Sequence, residues 1–201
     1  MALTSRKKRP LDRSVPHLRD SRLIIIAAEG RETEKQYFDQ FHDTRIQVKV
    51  MPTGEDNQSS PQHVIDRLTK YREEYQIGDG DELWLMIDVD RWKNLGEIAR
   101  EALQRGYQLA ISNPCFEVWL LSHYKEPPEF APKCQFIEDD LKDVLGGSYN
   151  KSNLNLSQFS GRLDLAIELG KKKYANSTDR WPQNVGSYVY RVALSILGLV
   201  S

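Results

Sequence analysis

Apolar and polar positions along this chain fall into two repeating textures. Leu23-Ile-Ile-Ile-Ala-Ala28 is a continuous apolar run rich in β-branched residues, the pattern of a strand covered on both faces. Glu29-Gly30-Arg31-Glu32 breaks it, and Thr33-Glu-Lys-Gln36 reads as a capping box that starts a helix carrying Tyr37, Phe38 and Phe41. Ile46, Val48 and Val50 alternate with polar residues as a second strand. A polar loop over 52–60 follows, and Pro61 opens a helix that runs through Tyr75. After a turn at Asp79 to Asp81, Leu83-Trp-Leu-Met-Ile-Asp-Val-Asp90 is a second buried-strand run, ending in acid. A helix over Leu95 to Gln104, stopped by Gly106, leads to a fourth strand over Tyr107 to Ile111. Asn113-Pro114 then supplies an N-cap and a first-turn proline for a helix through Tyr124.

The order β-α-β-α-β-α-β implies an α/β fold with a mostly parallel sheet and helices on both faces. From Lys125 the texture changes. Pro127, Pro128 and Pro132 mark an irregular connection, and helices are predicted at Phe136 to Leu145, Ser157 to Tyr174 and Val185 to Leu199. The chain divides on this reading into an arm at 1–22, an α/β core at 23–125 and a helical extension at 126–201 packed on that core.

Composition changes the picture in three ways. A length of 201 residues with 39% hydrophobic and 28% charged side chains fits one ordinary domain. No apolar run is long enough to cross a bilayer and none follows the charged N-terminus, so a cytoplasmic protein without a membrane role is expected. Cys115 and Cys134 form no metal-ligand spacing and no disulfide framework, and are read as ordinary small residues in a reducing compartment. The net charge of −1 hides a basic arm that holds Arg6, Lys7, Lys8, Arg9, Arg13, Arg19 and Arg22 against two aspartates. Such an arm suits nucleic-acid phosphates, and equally a solvated terminus.

Ligands of open α/β sheets gather beyond the carboxyl ends of the strands, which gives weight to acids at strand exits. Glu29 leaves the first strand, and Asp88 and Asp90 leave the third with a spacing of two that points both side chains the same way. Three converging carboxylates repel one another unless protons or a divalent cation intervene. Mg²⁺ or Mn²⁺ suits such a set of hard oxygens, and no Cys/His set for zinc is apparent. A D-x-D that merely caps a loop is the competing explanation. Glu32 and Glu34 lie where a helix dipole favours acids, which accounts for them without a site. Glu117 stands in Pro-Cys-Phe-Glu-Val-Trp-Leu-Leu, apolar on nearly every side, so its buried carboxylate requires an Arg or Lys partner, or a metal and its waters. His123 is read as a packed helix histidine rather than a catalytic base.

Ala28-Glu29-Gly30 with Thr33-Glu34 and Tyr37-Phe38, the pair Asp88-Val-Asp90, and Asn113-Pro-Cys-Phe-Glu-Val-Trp-Leu-Leu-Ser-His123 together resemble the RloB-like family, from about residue 20 onward. The resemblance implies a Toprim-like Rossmannoid core, as in topoisomerases, primases and nucleases of the overcoming-lysogenisation-defect group. Glu29 then matches the Toprim glutamate, and Asp88 with Asp90 the metal-binding pair. It also implies an effector of bacterial anti-phage defence or abortive infection, beside an AAA- or ABC-type ATPase partner, that cuts RNA such as tRNA, or DNA. Tyr149-Asn-Lys151 is similar to a lysine-bearing stretch of related effectors, where Lys151 would neutralise a transition-state phosphate.

Catalysis is therefore expected from Glu29, Asp88, Asp90, Glu117 and Lys151, with Glu29, Asp88 and Asp90 as metal ligands. Arg91, Lys93 and the run Lys171, Lys172, Lys173 are the expected strand-guiding cations, alongside a possible homo-oligomer. A phosphatase of the haloacid-dehalogenase type also carries Asp-x-Asp after a strand. There the pair belongs on the first strand, whereas here it ends the third and precedes Arg91. The rival from another class is a non-catalytic nucleic-acid-binding or regulatory subunit whose carboxylates hold loops.

Overall fold

The computed structural model describes residues 21–41, 45–53, 60–75, 77–89 and 92–199. Elements alternate as expected through the first part of the chain: β1 (Arg22–Ala28), α1 (Thr33–Phe38), β2 (Ile46–Met51), α2 (Pro61–Glu74), β3 (Glu82–Asp88), α3 (Leu95–Gln104), β4 (Gln108–Asn113) and α4 (Glu117–Leu121). The helical part follows with α5 (Cys134–Val144), a single 3₁₀ turn at Leu156–Gln158, α6 (Leu163–Tyr174), a two-residue strand β5 (Gly186–Ser187) and α7 (Val189–Ile196).

The strands form one Rossmann-like sheet in the order β2-β1-β3-β4-β5. The first four are parallel, and β5 joins β4 antiparallel through Ser112↔Ser187 and Asn113↔Gly186. In this order the chain turns outward in opposite directions from β1 and β3, so the crevice between their carboxyl ends is the topological switch point.

Period-two alternation divides the core into two. Ile24, Ile26, Ala28, Trp84 and Met86 point to one face, where α1 and α4 to α7 cover them. Leu23, Ile25, Ala27, Leu85 and Ile87 point to the other, against Val64, Ile65 and Leu68 of α2 and Ile98, Ala99 and Ala102 of α3. Ile24, Ile25 and Ile26 are each 0% exposed, so both faces of β1 are dry, as the unbroken apolar run requires. Each such isoleucine contributes about 1.5–3 kcal/mol of burial.

Four expectations are corrected. Thr33 does not cap α1: its hydroxyl donates to the Lys151 carbonyl, and Glu32 is the N-cap without a side-chain bond. Asn113 does not cap α4, which starts at Glu117. It ends β4, and its amide donates to the Pro182 carbonyl, holding the segment that leads into β5. The predicted helix from Val185 is a short strand and then α7, because a two-residue strand has no periodicity to read. Cys115 and Cys134 are bonded to each other as a disulfide, with Cα atoms 5.7 Å apart. Their separation of 19 residues carries no signature of a pair, and only the packing of α5 on α4 brings them together.

Among the described residues, no helix is long and apolar enough to cross a membrane.

Candidate active site

A cleft of about 490 Å³ opens at the carboxyl ends of β1 and β3, lined by Glu29, Glu34, Asp88, Glu117, Glu138 and Lys151, by Gly30 to Thr33, and by both cysteines. Glu29 is 4% exposed, and its Oε2 accepts from the Asp88 backbone N–H at 3.2 Å and from the Trp92 indole N–H at 3.0 Å. The first bond places the Glu29 carboxylate on the backbone of the last residue of β3. Behind it, the Thr53 hydroxyl donates to the Glu29 carbonyl at 2.6 Å, and Arg67 donates to the Ala28 carbonyl at 2.6 Å. The β1 exit is thus tied to β2 and α2 through its backbone.

Glu34 is buried at 6% exposure and accepts from the Gly30 N–H at 3.2 Å. A Cβ at Gly30 would stand 2.0 Å from Glu34 Oε2, so a side chain there would push the Glu34 carboxylate off the Gly30 N–H. Burial pushes the Glu34 carboxyl up to about 7, with the charges of Glu117 and Glu29 adding to it.

Glu117, 4% exposed, faces the same cleft from the start of α4. Its Oε1 accepts from the Tyr149 hydroxyl at 3.0 Å and from the Lys151 ammonium at 2.9 Å. Lys151 also pairs with Glu138 at 2.8 Å. Burial pulls the lysine pKa down, but Glu117 and Glu138 outweigh it and hold the value above the ordinary one. Tyr149 is pushed up, first by burial and then by the Glu117 charge. The Lys151 carbonyl in turn accepts from Thr33 and Gln36, both at 3.2 Å, so the loop carrying this lysine is pinned to α1.

A model of the RloB-like protein family matches residues 24–195. The chain belongs to the RloB-like family. Neither curated proteins nor solved structures yield a match.

Of the expected site residues of this RloB-like protein, Glu29, Asp88, Glu117 and Lys151 line one cleft. Asp90 and Arg91 lie outside the described residues, as does nearly all of the basic arm. Lys93 is exposed, next to Trp92. Lys171 does not join the cleft: it borders a depression with Glu82, Trp84 and Gln108, at the amino ends of β3 and β4 and so at the opposite end of the sheet. Lys172 pairs with Glu126, and Lys173 donates to the Val185 carbonyl at 2.8 Å. These lysines serve the surface of α6, whose direction the sequence pattern leaves open.

His123 is a core residue, as expected. It is 1% exposed, with Nε2 on the Tyr37 hydroxyl at 2.9 Å and Nδ1 at the Trp119 carbonyl at 3.0 Å, and burial pulls its pKa down to about 4. Glu34, Glu138, Trp92 and Gly30 also belong to the site: the sequence reading puts Glu34 down to the helix dipole, leaves Trp92 between a substrate contact and packing, and misses Glu138. The four-residue step from Gly30 to Glu34 across a strand-to-helix turn was the available signal for two of them. Glu138 had none, because the register of α5 against the cleft depends on tertiary packing.

Proposed function

We propose that this RloB-like protein is a Toprim-type nuclease, dependent on Mg²⁺ or Mn²⁺, that cuts RNA such as tRNA, or DNA. In this reading it is an effector of bacterial anti-phage defence under the control of an ATPase partner. The observation that carries the reading is the acidic cleft at the switch point. Glu29, Glu32, Glu34, Asp88, Glu117 and Glu138 line it against Arg31 and Lys151, an excess of anions that a hard cation would offset and of which Glu117 and Glu29 add to the burial that raises the Glu34 pKa. Apart from the disulfide, the donors are carboxylate oxygens with the hydroxyls of Thr33, Thr53 and Ser152, a hard-oxygen set that suits Mg²⁺ and fits the ion the family resemblance implies.

Glu29, Asp88 and Asp90 are the residues that would hold the ion. Bound there, it would supply charge stabilisation to a phosphate and a more acidic water. Glu34, poised near neutral pH, is suited to take up or release a proton at its carboxyl group. Lys151, with its side chain 47% exposed at the cleft wall, would meet an incoming phosphate with its ammonium. Lys93 beside Trp92, with Arg91 and the basic arm, would guide the strand.

A non-catalytic module has one observation in its favour. Glu29 Oε2 already accepts from the Asp88 backbone and the Trp92 indole, a loop-holding role that needs no chemistry. Divalent-ion titration and a cleavage assay on wild type and Asp88→Ala, with the ATPase partner present and thermal melting of both forms, separate the two. The nuclease reading expects Asp88→Ala to lose ion binding and cleavage with the melt unchanged, since a carboxylate at a strand exit adds little to core packing. Wild type that binds no divalent ion, or Asp88→Ala that cuts as well as wild type, moves the assignment to the regulatory module.

A further inference from the structure

Two sulfurs and a carboxylate meet at the wall of the cleft. Among the described residues, Cys115, Glu117 and Cys134 are the one set of three cysteine, histidine or acidic ligands whose ligand atoms lie within 4.8 Å of one another. Cys115 is 2% exposed and Glu117 4%, while Cys134, the first residue of α5, is half-buried and borders the cleft. Glu117 divides its oxygens: Oε1 takes Tyr149 and Lys151, whereas Oε2 lies 3.3 Å from the Cys134 sulfur. A disulfide sulfur has no proton to donate, so in the bonded form this approach is a contact and not a hydrogen bond.

We propose that the dithiol form of this protein binds a thiophilic divalent cation such as Zn²⁺ through Cys115, Cys134 and Glu117, and that the disulfide is the metal-free form of the same site. The inference does not depend on nuclease activity. A Cys₂Glu set leaves one tetrahedral position for water, and thiolate sulfur selects zinc over magnesium. It is chemically distinct from the carboxylate set at Glu29 and Asp88, although both border one cleft.

Charge supports the assignment. Two thiolates and a carboxylate around a divalent cation leave one net negative charge, and the Lys151 ammonium, 2.9 Å from Glu117 Oε1 and shared with Glu138, partly offsets it. The ligands come from both sides of the proline-bearing connection at 125–133, so a bound ion would staple α4 to α5 as the disulfide does.

Conversion is balanced with a dithiol reductant. Its thiolate attacks the Cys134 sulfur from the cleft, the sulfur–sulfur bond breaks with Cys115 as leaving group, and the second thiol of the reductant resolves the mixed disulfide. Two electrons and two protons pass to the cysteines as the reductant closes to its cyclic disulfide. Metal entry then releases the two thiol protons.

The test uses the full chain and Co²⁺ as a spectroscopic stand-in for zinc, in excess Mg²⁺ to occupy hard-oxygen sites. Reduced wild type should take up one Co²⁺ with a near-ultraviolet thiolate-to-cobalt charge-transfer band, which added Zn²⁺ abolishes. The same protein reoxidised should lose the band, a control that needs no variant to fold. Cys134→Ser should also lose it, and Glu117→Gln should keep the band while weakening affinity by at least about tenfold. Reduced wild type with no charge-transfer band, or a band that persists after reoxidation or in Cys134→Ser, overturns the proposal.

Discussion

Replacing Glu34 by glutamine keeps the shape of a buried side chain and removes its charge. Burial and the neighbouring Glu117 and Glu29 raise the Glu34 pKa from 4.5 to about 7, which corresponds to about 3 kcal/mol of differential stability. The sign follows from proton counts. Between pH 4.5 and about 7 the folded protein holds the Glu34 proton and the unfolded chain does not, so stability falls as pH rises. Relative to an unshifted glutamate, the Glu34 contribution is complete below pH 4.5 and is lost through about pH 7. Glutamine has no such dependence. The stability of Glu34→Gln minus that of wild type should therefore grow by about 3 kcal/mol from pH 4 to pH 8, or roughly 6–12 °C in melting temperature for a domain of this size. Urea unfolding of both proteins at half-unit pH steps measures it, and titrating groups that do not interact with Glu34 cancel in the difference. Mg²⁺ should shrink the gap at high pH by favouring the charged carboxylate. Parallel curves for the two proteins, or a gap that closes as pH rises, would refute the buried-carboxyl account.

Two further substitutions test the supports of the cleft. Trp92→Phe removes the indole donor to Glu29 Oε2 and should cost about 1.5–3 kcal/mol in chemical denaturation, as expected for a hydrogen bond to a charged group. A loss below about 0.5 kcal/mol would mean the bond contributes nothing. Gly186→Ala drives a Cβ to within 1.7 Å of the Tyr174 hydroxyl oxygen and should destabilise by about 3 kcal/mol or more. Adding Tyr174→Ala should then cost less than it does in wild type, and additive losses would show that the clash is relieved elsewhere.

The sheet was legible because burial on both faces forces a sequence pattern. The runs at 23–28 and 83–87 are apolar throughout since each alternate residue meets a different helical layer, and the switch point then points to Glu29 and Asp88 without further information. Glu117 was legible for a related reason: an acid in an otherwise apolar segment requires a partner, and that partner is Lys151. What escaped was set by tertiary placement. The Cys115–Cys134 bond, the reach of Glu138 to Lys151 and the orientation of Lys171 away from the cleft all depend on how α5 and α6 lie on the sheet. The amphipathic periodicity of a helix states which face is buried and not against what. Glu34 escaped for another reason, because a helix dipole explains a first-turn acid well enough that nothing prompts a search for a second cause.

Order of synthesis gives the split core a kinetic meaning. The face of the sheet that carries Ile24, Ile26, Trp84 and Met86 is covered partly by Leu141, Ile167, Tyr188 and Val192, residues that leave the ribosome long after the strands. The opposite face is covered mostly by α2 and α3, which are interleaved with those strands, with Trp181 added from the later part. A nascent chain can therefore close one side early while the other waits. Glu138 and Lys151, two walls of the cleft, belong to the late part. A ribosome-bound chain ending before α5 has β1 to β4 and the carboxylates of Glu29, Glu34, Asp88 and Glu117 but lacks Glu138 and Lys151, so the wall of the cleft that carries the Lys151 ammonium is the last to be made.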